Sequence, residues 1–281
     1  MDGVRCTVQN GKLYSRSGKT IQSPVAQELF GNSSFEGMDG ELIYGDMFAK
    51  DVFQKTTSAV MSKTWPDELD KTQLRFYVFD KFPRYEGQPY HERNVDLCIE
   101  LNGCFEFDKI PAFAVVQTLV RTEEELLAVE NQYLQQGAEG LMPRLPDAPY
   151  KHGRSTLKEA YILKLKRFSD AEAVVIGFDE KMHNTNEAKK DAFGHTERST
   201  SKEGLVAANT LGALLVKDCV SGVEFGIGSG FDDKLRKEIW DNKKSWLGKI
   251  VKYQYFATGM KEETMAPRFP TFKGERSKDD M

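Results

Sequence analysis

The sequence predicts an α+β protein in two parts, an antiparallel-sheet domain over residues 1–169 and a small closed β-barrel over 170–281. Three observations predict this class. A length of 281 residues with 40% hydrophobic content supports two real cores. Up to Phe168 several strand patterns accompany one well-marked helix, a mixture typical of α+β folds. Beyond Phe168, several strands and one short helix fill about a hundred residues, which suits a small barrel.

The chain opens on a hairpin. Val4–Gln9 alternates, Asn10-Gly11 is a type I′ turn signal, and Leu13–Arg16 returns. Gly40–Tyr44, Leu74–Asp80 and Ala112–Leu119 read as further strands. A helix follows, with Thr122 and Glu125 as a capping box, Leu126, Val129 and Tyr133 as an apolar stripe, and Gly137 as a stop. Short strands are expected at Gly140–Pro143 and Ala160–Lys166. In the second part, Ala173–Phe178, Leu211–Lys217, Gly222–Ile227 and Gly248–Phe256 are strand-like, and Lys234–Trp240 is a short helix. The polar stretch Lys181–Gly204 reads as a long loop, either a clasp for a ligand or a mobile connection.

Composition narrows the function classes. No apolar run approaches the roughly 18–20 residues of a membrane helix, and no signal peptide opens the chain, so no membrane partner is expected. Cys6, Cys98, Cys104 and Cys219 show no CxxC spacing, which argues against structural zinc and for free thiols in the cytoplasm. The net charge of −4 counts against nucleic acid only as an average. Residues 1–170 hold 21 basic and 25 acidic side chains, yet within 141–170 Arg144, Lys151, Arg154, Lys158, Lys164, Lys166 and Arg167 face only Asp147, Glu159 and Asp170. That local excess suits a phosphate backbone, and a solvated face would account for it as well.

Lys164 and Lys166 fall on one face if Ala160–Lys166 is a strand, since side chains alternate. Two like charges so placed favour an anion between them; lysines blunting an exposed edge are the other reading. Glu41 stands beside apolar Leu42 and Ile43. Glu139 follows a helix C-terminus, where a carboxylate gains nothing from the helix dipole. Two carboxylates and two lysines on separate strands have the composition of a magnesium–nucleotide site, although each acid alone also fits an ordinary surface position.

Taken in order, MDGVR at the start, SRSG at 15–18, FEGMDGELIYGD, FYVFDKF, EGLMPR and AYILKLKRF resemble the motifs of the covalent nucleotidyltransferase superfamily, specifically the small ATP-dependent DNA ligases of viral and phage type. LGALLV, VEFGIGSGF, EIW, GKIVKYQYF and RFPTFKGERSKDD resemble the oligonucleotide-binding (OB-fold) barrel of the same proteins. The resemblance therefore implies a nucleotidyltransferase (adenylation) domain followed by an OB-fold β-barrel.

It also implies a chemistry. In that family a lysine takes AMP from ATP, AMP passes to the 5′-phosphate of a nick in duplex DNA, and the 3′-hydroxyl displaces it. By match to the motifs, Arg5 and Glu41 are expected on the ribose, and Arg16 on the ribose or strand end. Phe79 is expected to stack on adenine, with Tyr77 as the alternative and plain core as the other reading. Glu139 is expected to bind Mg2+ or another divalent cation, Lys164 and Lys166 the reacting phosphates, and Arg276, with Arg268 and Lys278, the leaving pyrophosphate. Nicked double-stranded DNA is the implied partner of a monomer, in the host cytoplasm if the gene is viral.

One departure stands out. Met1 occupies the second position of the KxDGxR pattern, so the nucleophilic lysine is missing from these 281 residues, and they are expected not to form an enzyme–AMP adduct. A start taken at an internal methionine accounts for this best. An RNA ligase or mRNA-capping guanylyltransferase shares several of the motifs, and a catalytically dead nick- or duplex-binding protein would explain the missing lysine. Gly226, Gly228 and Gly230 have GxGxG rather than GxGxxG spacing and read as strand curvature. His91, His152, His183 and His195 lack metal-ligand spacing.

Overall fold

Alternation along the first strands sorts residues onto two faces. β1 (Val4–Gln9), β2 (Lys12–Ser15), α1 (Pro24–Phe30), β3 (Met38–Tyr44), α2 (Val52–Met61), β4 (Leu74–Lys81), α3 (Tyr90–Gly103) and β5 (Ala112–Ala114) form the body of the first unit. Its sheet has the order β2-β1-β3-β4-β5. Cys6, Val8, Leu13, Met38, Leu42, Leu74, Phe76 and Val78 turn to one face and are buried together with Ala26, Phe30, Ala59, Val60 and Leu97 from the three helices. Phe30, Phe35 and Phe76 meet at centroid distances of 5.8, 5.5 and 6.1 Å. Such contacts add about 0.5–1.5 kcal/mol each beyond area burial. The other face carries Arg5 and Glu41 together with the rings of Tyr77 and Phe113.

This computed structural model describes residues 2–49, 51–103, 111–191, 194–256 and 266–276. Two units emerge, residues 1–166 with 191–194, and residues 167–190 with 195–281. Met1, Cys104 and Lys278 lie outside the described residues. The cysteines described, Cys6, Cys98 and Cys219, are free thiols. Among the described residues no helix is long and apolar enough to cross a membrane.

The hairpin turn forms as its residues dictate, with Asn10 at φ 51° and Gly11 at φ 65°. Strand β5 runs parallel to β4, because the chain between them crosses over through α3. It is also shorter than the expected Ala112–Leu119, ending at Ala114. The well-marked helix is α4 (Glu123–Gln135), where Thr122 caps by accepting the Glu125 N–H at 3.2 Å. The Glu125 carboxylate reaches back to the Arg121 N–H at 2.6 Å, one residue beyond the usual capping-box partner. Helices α1 to α3 were not evident from periodicity, although Ser23 as N-cap followed by Pro24 is a standard helix start.

β6 (Gly140–Leu141) and β7 (Leu165–Lys166) pair antiparallel. Gly140, at φ 151°, is required there, since a Cβ would stand 2.1 Å from the Leu165 carbonyl oxygen. The expected strand Ala160–Lys166 is reduced to these two residues, with Ala160 in the left-handed region at φ 52° and a single bridge at Ile162. Lys164 therefore lies outside β7, and the expectation of both lysines on one strand face does not hold.

The second unit contains β8 (Ser169–Asn184), β9 (Ala188–Lys190), β10 (Thr196–Arg198), β11 (Leu205–Asp218), β12 (Glu224–Ile227), α5 (Asp233–Asp241), α6 (Lys243–Trp246), β13 (Ile250–Phe256) and β14 (Arg268–Glu275). Five strands form one sheet in the order β12-β11-β8-β13-β14, closed over Val175, Leu214, Val216, Ile239, Trp246, Val251 and Tyr253. The expected closed barrel is not formed by a continuous ladder. The edges meet at one parallel bridge, Ser229 to Thr271, because β12 ends after four residues. At that seam Gly230, at φ 91°, passes so close to Phe272 that a Cβ would lie 2.3 Å from its carbonyl oxygen, which is a packing role rather than a dinucleotide fingerprint. The stretch 181–204, expected as one long loop, holds strand in part: β8 runs on to Asn184, the antiparallel β9–β10 pair follows, and β11 begins just after it at Leu205.

Candidate active site

Register across β1, β3, β4 and β5 aligns Arg5 with Glu41, Glu41 with Tyr77, and Tyr77 with Phe113. These side chains share the face opposite the apolar core. Asp39 and Phe79, two residues along their strands, belong to that face as well. The close passage of strands there depends on two glycines. A Cβ on Gly3 would stand 2.2 Å from the Leu42 carbonyl oxygen, and one on Gly40 would stand 2.4 Å from that of Tyr77. Both glycines come from the DG pairs at the start of the chain and in DGEL.

Glu41 accepts the Gly3 N–H at 2.7 Å. Burial pushes its carboxyl above the usual range, opposed by that hydrogen bond. Arg5 grips the 1% exposed Asp39 side chain with Nε to Oδ1 at 3.0 Å and Nη2 to Oδ2 at 2.6 Å. The guanidinium of Arg5 lies 5.5 Å from the Phe79 ring centroid, and that of Arg144 lies 5.9 Å from it. Phe79 is half-buried, and its backbone carbonyl accepts the Tyr90 hydroxyl at 3.2 Å. Tyr77 is already stacked on Phe113, centroids 5.7 Å apart and planes at 30°.

Beneath this face, Asp80 is buried and takes two hydrogen bonds from buried Arg93, at 2.8 and 3.2 Å, and one from Arg144 at 2.5 Å. Arg144 also stacks over Tyr90 at 4.3 Å. Burial pushes the Tyr90 hydroxyl up to about 12, against the pull of Arg144. Since Arg144 follows β6 and bridges Ile162 just before β7, it ties the β6–β7 pair to Phe79.

Lys166 lies in that strand pair and Glu139 immediately precedes it; their ammonium and carboxylate meet at 2.5 Å. Lys166 is nearly buried, with its side chain 7% exposed. Lys164 is exposed. Arg16 is exposed, one residue past β2. Arg276 belongs to the second unit, where it follows β14 and pairs with Glu172; Arg268 lies 5.3 Å from the Phe269 ring. Of the seven cations in 141–170, Arg144, Lys151 and Lys166 pair with Asp80, Glu159 and Glu139. Arg154, Lys158 and Lys164 are exposed, as is Arg167, which belongs to the second unit.

The first unit thus brings together Arg5, Glu41 and Phe79 on one face, and Glu139 with Lys166 at one strand pair. Sequence reading missed Asp39, Asp80, Arg93 and Tyr150. Asp39 and Asp80 stand inside DGEL and FYVFDKF, so their motifs carried a signal; no pattern marked Arg93 or Tyr150.

Comparison with known proteins decides the family. Residues 1–166 match the family model described as ATP dependent DNA ligase domain, and residues 206–276 match DNA ligase OB-like domain. The chain belongs to the ATP-dependent DNA ligases. A crystal structure of Chlorella virus DNA ligase–adenylate is 33% identical, covers 99% of this chain and 90% of its own, and superposes with a TM-score of 0.50. A Lig E DNA ligase structure, described in terms of DNA binding with a minimal scaffold, is 25% identical, covers 98% and 90%, and reaches a TM-score of 0.68. A DNA ligase of African swine fever virus is 27% identical over 113 residues, 40% of this chain and 27% of that protein. The match thus spans about a quarter of the curated viral ligase's length.

Against this ligase family, the donor set can be tested for a divalent cation. Among the described residues no three His, Cys, Asp or Glu side chains cluster as a metal cage. Mg2+ bound with nucleotide usually takes one or two carboxylates and keeps phosphate and water as its other ligands. Glu139, one carboxylate beside one ammonium, fits a cation of that kind. When bound, the cation would neutralise charge on the phosphates; the rest of the site is the protein's own.

Proposed function

We propose that the chain seals nicks in duplex DNA through adenylylated intermediates, with ATP as AMP donor and Mg2+ or a similar cation at Glu139. The observation that carries this reading is the joining of two half-sites: Arg5, Glu41 and Phe79 on one sheet face, linked through Arg144 to the Glu139–Lys166 strand pair. Phe79 stacks on adenine, with the guanidiniums of Arg5 and Arg144 over its ring at 5.5 and 5.9 Å; Tyr77 is stacked on another aromatic ring, that of Phe113. Arg5 and Glu41 hold the ribose, and a carboxylate whose charge is disfavoured by burial is well suited to hydroxyl groups.

Lys166 and exposed Lys164 neutralise the reacting phosphates, Arg16 contacts the ribose or strand end, and Arg276 orients pyrophosphate in the ATP-dependent step. In the sealing step the O3′–phosphorus bond forms as the bond to AMP breaks. AMP leaves with the electron pair and the hydroxyl proton passes to solvent. Lys166 stabilises the charge that gathers on the phosphate oxygens. Exposed Arg154 and Lys158 meet the DNA backbone. We assign the adenylation domain to 1–169 and the OB-fold domain to 170–281, in a monomer acting in the cytoplasm, that of the host if the gene is viral.

Closure of a nick that already carries 5′-AMP requires no nucleophilic lysine, so it tests these residues directly. The chain is expected to close such a nick with a divalent cation present, and Glu139→Ala to slow closure at least about a hundredfold. Nick binding without closure would favour a binding protein that has lost catalysis. The family match favours DNA over RNA ligation or capping.

A further inference from the structure

Tyr150 stands between β6 and β7, far in sequence from the sheet, yet its hydroxyl donates to Asp39 Oδ2 at 2.8 Å. The same oxygen accepts Arg5 Nη2 at 2.6 Å, while Oδ1 accepts Arg5 Nε at 3.0 Å. The Asp39 side chain is 1% exposed, so the protein rather than bulk water must fix its orientation. A carboxylate gripping one guanidinium fork can still swing about its own bonds together with that fork. A third donor from a different direction removes this freedom.

The Tyr150 ring is itself well braced. Phe82 meets it edge-on at 5.3 Å, His152 packs at 5.0 Å, and the guanidinium of Arg93, anchored on Asp80, lies 5.6 Å from its centroid. Burial and the nearby Asp39 charge push the Tyr150 hydroxyl well above its ordinary range, so it remains a donor at any working pH. Nothing in this arrangement exposes the hydroxyl for chemistry of its own. Its geometric consequence is the plane of the Arg5 guanidinium.

We infer that Tyr150 is a positioning residue for nucleotide recognition: its hydroxyl orients the Asp39 carboxylate, which in turn holds Arg5 in the pose that reads the ribose. The inference rests on the reading of Arg5 as a ribose ligand. It explains how the segment between β6 and β7, which also carries exposed Arg154 and Lys158, is coupled to the sheet face.

Tyr150→Phe keeps the ring and removes only the donor. Closure rates are compared on nicks carrying 5′-AMP and 5′-(2′-deoxy)AMP, for the full chain, Tyr150→Phe and Arg5→Ala. Tyr150→Phe is expected to shrink the preference for the ribonucleotide about three- to tenfold, chiefly through KM, and Arg5→Ala to abolish it. A merely structural role would weaken both substrates alike. If Arg5→Ala leaves the preference intact, or the full chain shows none, the reading of Arg5 falls. If Arg5→Ala erases it and Tyr150→Phe retains all of it, the role of Tyr150 falls.

A second measurement is independent of activity. By NMR, the Arg5 Nε–H proton is expected to exchange with solvent at least about three times faster in Tyr150→Phe than in the unaltered chain. An unchanged exchange rate would overturn the coupling whatever the closure assay shows.

Discussion

Glu139, one residue before β6, meets Lys166 of β7 at 2.5 Å, with the lysine side chain only 7% exposed. The ion pair joins the residue before β6 to β7 and so links the two sides of a very short strand pair. Removing the acid deprives a nearly buried ammonium of this partner. Glu139→Ala is expected to cost about 1–3 kcal/mol of stability and Glu139→Gln less, by urea denaturation of the full chain. Equal stability in all three would show that the pair contributes no cohesion.

Gly40 tests the close passage of β3 against β4. With a Cβ set to fall 2.4 Å from the Tyr77 carbonyl oxygen, Gly40→Ala must push the strands apart. We expect a loss of about 3 kcal/mol or more, seen as a lower midpoint of thermal unfolding. An unshifted midpoint would contradict the register described for these strands.

The first strands were legible because their signals are local. Asn10-Gly11 demands a tight turn, and alternation from Val4 to Gln9 separates a buried face from a polar one. The site motifs were legible as motifs too. What escaped is non-local: Asp39 is held by Tyr150 from 111 residues away, and Asp80 by Arg144 from 64. No periodicity reports such a partner. The strand placement of Lys164 fails for a related reason: Ala160 turns in the left-handed region and β7 pairs with β6 only over Leu165–Lys166, whatever the alternation of the sequence before it.

Phe79 and Tyr77 make opposite predictions. Stacking of a base on an aromatic ring is worth about 1–3 kcal/mol, so Phe79→Ala is expected to weaken binding of a 5′-adenylylated nick by about 5- to 150-fold. Tyr77→Ala is expected to have under a fifth of that effect in the same titration, since its ring already stacks on Phe113. The reverse order would move the adenine to Tyr77.

Glu41 gives the site a pH signature. Burial raises its folded pKa above the unfolded value of about 4.3. Its contribution to stability is therefore fully present below that unfolded value and is lost as pH rises through the folded one. Glu41→Gln has no charge to desolvate. The stability of the unaltered chain relative to Glu41→Gln is thus expected to fall across that window and level off above it, by urea denaturation in steps from about pH 4 to 8. A relative stability that climbs with pH would reverse the sign.

If the site face of the β1–β3–β4 sheet receives the adenylate, the chain distinguishes a nick with a 5′-AMP from the same nick without one, by equilibrium binding at fixed salt. The adenylylated nick is expected to bind at least about tenfold more tightly, and Phe79→Ala and Arg5→Ala each to remove most of that increment while leaving affinity for the plain nick unchanged. Equal affinity for the two duplexes, or an increment that survives both substitutions, would contradict that placement of the adenylate.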